Sequence, residues 1–213
     1  SDLDNAEGEG QIWFNTTSSD YKTIVKVAGT WATGGTLTTG RRHLNSCGTQ
    51  TAGLAAGGYI TATSALSEEY NGSTWTEGND LNTARHYVGM SGTQTAGLVS
   101  GGSPGNKNES EEYNGTSWAE GSNLNAVKSN TIGAGIQTSG MAIGGNPSNL
   151  TAVEVYDGTS WAETTDLSTG RHNLAAAGSQ GVAAIAYGGN TGSVSNATEE
   201  WTSTATIQTV AFD

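Results

Sequence analysis

Residues 96–118 read AGLVSGGSPGNKNESEEYNGTSW and contain the signals that decide the fold of this chain. AGLVS is a short apolar run closed by a glycine pair, as buried strands are, and it is too short for a typical helix. Asn114-Gly115 separates two strand-like segments and is typical of a β-hairpin turn, because both turn positions need a positive φ. The stretch therefore predicts antiparallel strands joined by tight turns.

The same order of signals recurs along the chain at a period of about 43 residues. The spacing is 44, 43 and 43 residues between the tryptophans that end the unit, namely Trp31, Trp75, Trp118 and Trp161. A period in the low forties with four strands per unit is the signature of a β-propeller blade. The sequence thus predicts an all-β fold, a β-propeller of four-stranded antiparallel blades.

The combination of signals resembles the kelch family, whose blades carry Gly-Gly after the second strand, Glu-x-Tyr in the third and Trp in the fourth. All three elements occur in register between residues 41 and 201. The last copy departs from the pattern, since Trp201 replaces the tyrosine and no fourth-strand tryptophan follows it. The resemblance implies a propeller fold and leaves the function open.

We expect a single propeller domain over residues 1–213 with five blades, the alternative being four blades. The segments IWFN, YKTIVKV and GTWATGG within residues 1–40 match the second, third and fourth strands of a unit, so these residues would form a partial blade that closes the ring. TIQTVAFD (206–213) would complete its own blade or supply the missing strand. In the four-blade alternative, Trp31 closes the blade of residues 171–205. The other blades are expected at 41–83, 84–126, 127–169 and 170–213.

A basic residue opens each first strand and a glutamate opens each Glu-x-aromatic motif, once per unit. Each unit has one such cation and one such glutamate, and these equal numbers predict ion pairs. A feature repeated identically around a ring is typical of a structural role and not of catalysis. The repeated tryptophans are expected to pack in the outer layer of each blade. These structural positions are Arg41, Arg85, Lys128, Arg171, Glu68, Glu111, Glu154, Glu199, Trp31, Trp75, Trp118 and Trp161.

No residue is assigned to catalysis, to a metal or to a cofactor. His86 and His172 occupy equivalent positions in two blades and lack the spacing of metal ligands, so we expect them to form hydrogen bonds near the axis. Cys47 stands where other copies have serine or alanine, which indicates packing. The residues give no convergent set for an oxidase or a sialidase, and an enzyme is not expected.

The loops that join the second and third strands differ between copies, whereas the turns at the opposite end repeat almost unchanged. The variable loops are 59–66, 103–110, 146–152 and 190–197. Loops held by a rigid scaffold commonly carry recognition, although unconstrained loops also drift. The candidate ligand-binding residues are Tyr59, Thr61, Asn106, Lys107, Asn146, Asn149, Asn190 and Ser193, with Tyr59 the best placed to stack on a sugar ring.

The formal net charge is −12, which argues against nucleic acid as a partner because phosphate neutralisation needs clustered Lys and Arg. The apolar runs are far shorter than the roughly 18 residues of a membrane span, so we expect no membrane insertion. The first residues, SDLDNAEGEG, lack the pattern of a signal peptide.

Residues 10–31, GQIWFNTTSSDYKTIVKVAGTW, are similar to a module of bacteriophage tail fibres and virion proteins. Copies with GTQTAGL and EEYNGTSW resemble tail proteins of marine phages, especially those of cyanobacteria. The resemblance implies a virion or extracellular protein that binds a host-surface glycan or receptor and other virion proteins. We therefore expect a non-catalytic binding module. A purely structural virion component and a designed or consensus propeller scaffold stay open as alternatives, ahead of a carbohydrate-active enzyme.

Overall fold

The computed structural model describes residues 12–15, 17, 20–23, 29–179 and 183–203, and every regular element among them is a β-strand. The chain divides into two compact units, residues 1–34 and residues 35–213. In the first unit the described strands are β1 (Ile12–Asn15) and β2 (Asp20–Thr23), which pair as an antiparallel hairpin.

The second unit is a β-propeller arrangement of four antiparallel sheets, which we number blades 1 to 4 in chain order. Blade 1 contains β3 (Asn45–Thr49), β4 (Ala52–Ala56), β5 (Ser67–Tyr70) and β6 (Trp75–Glu77). Blade 2 contains β7 (Gly89–Thr93), β8 (Ala96–Ser100), β9 (Ser110–Tyr113) and β10 (Trp118–Glu120). Blade 3 contains β11 (Ile132–Ile136), β12 (Ser139–Ile143), β13 (Val153–Tyr156) and β14 (Trp161–Glu163). The described strands of blade 4 are β15 (Ala175–Ser179), β16 (Ala183–Tyr187) and β17 (Thr198–Thr202).

The hairpin turns follow from their sequence. Asn71 accepts hydrogen bonds at its side-chain oxygen from the backbone N–H groups of Ser73 and Thr74, at 3.0 and 2.9 Å, and Gly72 supplies the positive φ of 91°. The same turn joins β9 to β10 and β13 to β14. The predicted hairpins are confirmed because an Asn or Asp side chain caps its own turn and glycine takes the left-handed position.

The blades meet along their inner strands and second strands. β3 lies beside β7, β7 beside β11, and β11 beside β15, so the first strands follow one another around the axis. The second strands are buried between blades, with Leu54, Leu98 and Met141 almost fully removed from solvent. The core is therefore distributed over the blade interfaces. The many small residues there let the backbones of neighbouring blades approach closely.

The glycine pair after each second strand receives the backbone of the following blade. The Gly102 N–H donates to the carbonyl oxygen of Lys128 at 2.7 Å. A Cβ on Gly101 would lie 2.6 Å from that same oxygen, and Gly101 has a φ of +64°. The equivalent bonds of blades 1 and 3 measure 2.9 and 2.8 Å. The pair is glycine because a side chain would occupy the position of this carbonyl.

The repeated cations and glutamates form ion pairs within each blade. The paired side chains are fully buried, except that the Glu199 side chain is 24% exposed. The pairs are Arg41 with Glu68, Arg85 with Glu111, Lys128 with Glu154 and Arg171 with Glu199. Each carboxylate also accepts a backbone N–H from the segment that enters its blade; for example, Asn82 N–H donates to Glu111 at 2.7 Å. The pairs therefore anchor the connection between consecutive blades.

The expectation of five blades is wrong, because the structure has four. The first unit contributes only the β1–β2 hairpin among its described residues, and residues 29–35 form no strand. Trp31 is fully exposed, whereas Trp118 and Trp161 are 6% exposed and Trp75 is half-buried. Among the described residues no strand pairs with the Trp31 segment, so its indole is not buried in a sheet. The expected strand at 206–213 lies outside the described residues.

Acid is expected to destabilise the propeller through these carboxylates. Burial alone raises the pKa of Glu68, but hydrogen bonds from Thr38 and Arg41 outweigh it and hold that pKa below its ordinary value of 4.5. Burial also raises the pKa of Glu199, but hydrogen bonds from Ser168 together with the charge and hydrogen bond of Arg171 outweigh it and lower that pKa. A lowered folded-state pKa adds stability above the unfolded value, and this stability is lost as pH falls through the folded value.

The melting temperature should therefore decline as the pH is taken from about 5 towards 3, the window in which carboxyls of depressed pKa gain protons. Glu68→Gln is the control, because that variant lacks one titrating carboxyl and its melting temperature should depend less steeply on pH. A melting temperature that stays constant over this range would contradict the role given to the pairs.

Candidate functional site

The variable loops and the segments that enter the blades lie at the same end of the propeller, which we call the loop face. In each blade, backbone bonds join the residue after the buried cation to the residue after the glycine pair. In blade 1 the Arg42 N–H donates to the Tyr59 carbonyl at 3.0 Å, and the Tyr59 N–H donates to the Arg42 carbonyl at 2.7 Å. The equivalent bridges join His86 to Ser103, Ser129 to Asn146 and His172 to Asn190. The base of every variable loop is thereby held to the blade scaffold.

Side chains tie three of these loops to the next blade. The Thr63 hydroxyl and His86 Nδ1 are 3.2 Å apart. The Ser129 hydroxyl donates to Asn106 Oδ1 at 2.6 Å, and His172 Nδ1 lies 2.6 Å from Asn149 Oδ1. Asn106 and Asn149, both candidate ligand residues, thus use their amide oxygens in contacts between blades.

The other candidate residues are spread over the loop face. Asn190 Oδ1 accepts from the Gly192 N–H at 2.7 Å, and Lys107 lies 3.7 Å from the Glu109 carboxylate. Thr61 and Ser193 are exposed, and Asn146 is half-buried beside Ser129. Of the eight candidates, only Tyr59 belongs to an aromatic cluster.

A ring of four residues surrounds the axis on the loop face, one from each blade. Each has a left-handed backbone with φ between +51° and +57°, and the members are His43, Tyr87, Asn130 and Asn173. The Tyr87 N–H donates to the His43 carbonyl at 3.1 Å, the Asn130 N–H to Tyr87 at 2.8 Å and the Asn173 N–H to Asn130 at 3.1 Å. These residues and their neighbours line a cavity of about 280 Å³ at the axis.

An aromatic patch occupies the loop face at blades 1 and 2, and it consists of His43, Tyr59, His86 and Tyr87. The rings of His43 and Tyr87 are stacked, with centroids 4.2 Å apart and planes inclined by 22°. His86 lies 4.9 Å from Tyr87 and 5.4 Å from Tyr59 between ring centroids. The Arg42 guanidinium stands 5.1 Å from the centroid of the Tyr59 ring, within the range of a cation–π contact.

Burial lowers the pKa of His86, and the nearby His43 lowers it further. Since the ordinary pKa of histidine is about 6.5, the His86 ring is neutral at physiological pH. The patch therefore presents ring faces with hydrogen-bonding edges and a single permanent cation, Arg42.

Within the described part of the chain, no group of three or more His, Cys, Asp or Glu side chains is arranged to hold a metal ion. Burial raises the pKa of the Cys47 thiol to about 12, so Cys47 is protonated near neutral pH. A search of the described residues finds no helix with the length and hydropathy of a membrane span.

A second cavity, of about 270 Å³, lies between blades 3 and 4 and is lined in part by the segment that enters blade 4. Val153, Ala184 and Trp201 are among its lining residues. The corresponding space between earlier blades holds the indoles of Trp118 and Trp161, whose N–H groups donate to Ser67 at 3.2 Å and Ser110 at 3.4 Å. The cavity thus lies where a fourth-strand tryptophan fills the space between the earlier blades, and we assign no ligand to it.

Comparison with protein-family models and with curated proteins finds no match. The sequence predicts Tyr59 as a contact residue, whereas His43 and Tyr87 were not among the predicted residues. Their signal is the residue two positions after each buried cation, which is histidine, tyrosine, asparagine and asparagine in successive blades.

Proposed function

We propose that the protein is a non-catalytic binding module of a phage tail or virion, and that it recognises a host-surface glycan or surface receptor through its loop face. The observation that carries this proposal is the pair of aromatic residues in the ring around the axis. Blades 3 and 4 place Asn130 and Asn173 there, and asparagine tolerates a left-handed backbone. Blades 1 and 2 place His43 and Tyr87 in the same conformation.

A left-handed backbone costs an ordinary residue about 1–2 kcal/mol. A purely structural ring has no need for this cost, because asparagine makes the same backbone bonds in the other blades. Residues held in unfavourable backbone conformations cluster at binding and catalytic sites. The two aromatic side chains at the mouth of the axis therefore favour contact with a ligand.

The chemistry of the site fits a sugar ring. Tyr59, His43 and Tyr87 offer aromatic surface with polar tips, and the nearby Asn130 and Asn173 offer amide groups for hydroxyls. The axial cavity of about 280 Å³ is near the lower end of the range for small-ligand sites, so it would accept a single ring and leave the loops to contact the rest. Arg42 favours a sugar with an acidic substituent.

The virion location and the host partner rest on the resemblance of residues 10–31 and of the repeats to phage tail proteins. Other virion proteins are the second class of partner, and nucleic acid and membrane insertion are not part of the proposal. The alternative, a structural virion component or a designed scaffold, differs in one respect: its loops could be exchanged without loss of attachment.

The test is binding of the purified protein to an array of bacterial surface glycans. A variant with loops 59–66, 103–110, 146–152 and 190–197 replaced is expected to fold but to lose binding. A matched control replaces the repeated turn at 135–140 by the turn at 92–97, at the opposite end of the propeller, and should bind normally. Full binding by the loop-replaced protein would exclude the loop face as the recognition surface.

Tyr87→Asn separates recognition from stability. The variant makes blade 2 match blades 3 and 4, so glycan affinity should fall about tenfold, the equivalent of one aromatic contact of about 1.4 kcal/mol. Asparagine adopts the left-handed backbone at a lower cost than tyrosine, and this gain offsets the lost stacking on His43. The free energy of unfolding should therefore change by less than about 1 kcal/mol. Titration calorimetry and thermal melting measure the two quantities. Unchanged affinity would argue against a contact role for Tyr87.

A further inference from the structure

Blade 1 places a cation and an aromatic ring at one bridged pair of positions on the loop face. The cation is Arg42, directly after the buried Arg41, and the ring is that of Tyr59, directly after the glycine pair. Their backbones exchange two hydrogen bonds, at 3.0 and 2.7 Å, so the bases of both side chains are fixed to the blade. The other blades fill these two positions with His86 and Ser103, Ser129 and Asn146, and His172 and Asn190. Of the four blades, blade 1 is the one that joins a permanent charge to a ring here.

The ring of Tyr59 orients the Arg42 side chain. The guanidinium stands over this ring at 5.1 Å from its centroid. His86 meets the same ring edge-on, with the two planes inclined by 67°, and the Thr63 hydroxyl lies 3.2 Å from His86 Nδ1. A cation–π contact uses the charge of the guanidinium and the face of the ring, and it leaves the N–H donors available. Arg42 is therefore pre-organised, which lowers the entropy cost of binding an anion.

Arg42 also differs from the other cations of the propeller. Within residues 29–179 and 183–203, every other Lys or Arg forms an ion pair with a glutamate, and these residues are Arg41, Arg85, Lys107, Lys128 and Arg171. In the same part of the chain, the contact with Tyr59 is the one interaction of the Arg42 guanidinium, and Arg42 is exposed. An exposed and oriented guanidinium without a carboxylate partner is suited to bind an oxyanion from solution.

We infer that Arg42 and Tyr59 form a subsite for a sugar carboxylate, so that the recognised glycan contains a uronic acid or another sugar acid. This inference rests on the proposed function, because it names the class of sugar that the loop face selects. Arg42 donates two parallel N–H bonds to the carboxylate. Tyr59 positions the guanidinium, and the rest of the aromatic patch contacts the ring of the sugar.

The charge of the protein favours a carboxylate over other anions. A carboxylate matches the single positive charge of Arg42, whereas a phosphate monoester carries about −1.5 to −2 charges at neutral pH. The excess charge of a phosphate would stay uncompensated on a chain with a formal net charge of −12. The same net charge repels a glycan with closely spaced acidic groups. We therefore expect isolated carboxylates on an otherwise neutral glycan.

The test uses the array of bacterial surface glycans in three forms: native, carboxyl-reduced and dephosphorylated. Carboxyl reduction converts each sugar acid to its neutral alcohol and keeps the rest of the glycan. The wild type should bind the native form of its glycan about tenfold more tightly than the carboxyl-reduced form, the effect of one hydrogen bond to a charged group. Dephosphorylation should change nothing. The preference should decrease as salt is raised from about 0.05 to about 0.5 M, because the pair is exposed.

Variants of the two residues separate charge, geometry and ring. Arg42→Gln should bind the native and carboxyl-reduced forms equally, and Arg42→Lys should keep part of the preference, since lysine has the charge without the planar fork. Tyr59→Phe should behave as the wild type. Tyr59→Leu should lose part of the preference, because the guanidinium loses its support. A purely structural role of Tyr59 would alter binding of both forms alike and leave their ratio unchanged.

The matched control is Thr116→Asp, which lowers the net charge by the same amount as Arg42→Gln. Thr116 is exposed in the turn between β9 and β10, at the opposite end of the propeller. This variant should keep the preference of the wild type, and thermal melting checks that every variant is folded.

The outcomes separate this inference from the proposed function. Equal binding of native and carboxyl-reduced glycans by the wild type would overturn the carboxylate subsite and leave glycan recognition standing. Loss of binding on dephosphorylation alone would assign the anion as phosphate and overturn the subsite as well. An Arg42→Gln variant that keeps the full preference would show that the carboxylate binds elsewhere. An array on which the folded wild type binds no glycan in any form would overturn both.

Discussion

Arg85→Met is expected to lower the free energy of unfolding by about 3–5 kcal/mol, because it leaves a buried carboxylate without its cation. The Arg85 and Glu111 side chains are both fully buried. Arg85 also donates to the carbonyls of Gly101 at 3.3 Å and Glu109 at 2.9 Å, so these acceptors lose a partner too. Methionine fills much of the volume of the arginine side chain. The lost free energy of unfolding therefore reflects the missing charge and hydrogen bonds more than a new cavity.

The matched control is Lys107→Ala, since Lys107 and Glu109 form a partly exposed pair at 3.7 Å in the same blade. Exposed pairs contribute about 0–1 kcal/mol, so this variant should be nearly as stable as the wild type. The double variant Arg85→Met/Glu111→Gln removes both charges and should cost less than the sum of the single changes. Urea denaturation of the wild type, Arg85→Met, Glu111→Gln, the double variant and Lys107→Ala measures these differences. A loss below about 1 kcal/mol for Arg85→Met would show that the repeated pairs do not hold the blades.

Gly101→Ala is expected to cost about 3 kcal/mol or more, through backbone strain and overpacking together. The residue has a φ of +64°, and its new Cβ would meet the Lys128 carbonyl oxygen at 2.6 Å. That oxygen is held by the Gly102 N–H, so it cannot withdraw without breaking the bond between blades 2 and 3. The substitution therefore tests whether the glycine pair is needed for contact between blades.

Gly188→Ala is the control, because Gly188 has the equivalent position in blade 4 and a φ of +67°. A Cβ there meets only the Ser195 carbonyl oxygen, at 3.9 Å. This variant should show the backbone cost alone, about 1–2 kcal/mol. Thermal and denaturant unfolding of the two variants give the comparison. Equal losses would mean that the doublet serves local backbone geometry and not the blade interface.

The repeat made much of this fold predictable, because its signals are local. The Asn114-Gly115 turn and the apolar run at 96–100 follow from neighbouring residues. The buried pairs of cation and glutamate join residues 26 to 28 positions apart and were predicted from their recurrence once per unit. The aromatic patch was harder to predict from the sequence. Tyr87 and His43 are 44 residues apart in the chain, and nothing local indicates that their rings stack.

The sequence alone determined the antiparallel blades and their period, since strands and hairpin turns depend on neighbouring residues. Only the tertiary structure decided the number of blades, because Trp31 keeps the local signature of a fourth strand and yet lies exposed outside any sheet. The tertiary structure also decided which polar groups meet. Gln94 contacts Tyr70 and Ser129 contacts Asn106 because adjacent blades bring their edges together around a common axis. That arrangement is a property of packing between units, which no single unit encodes.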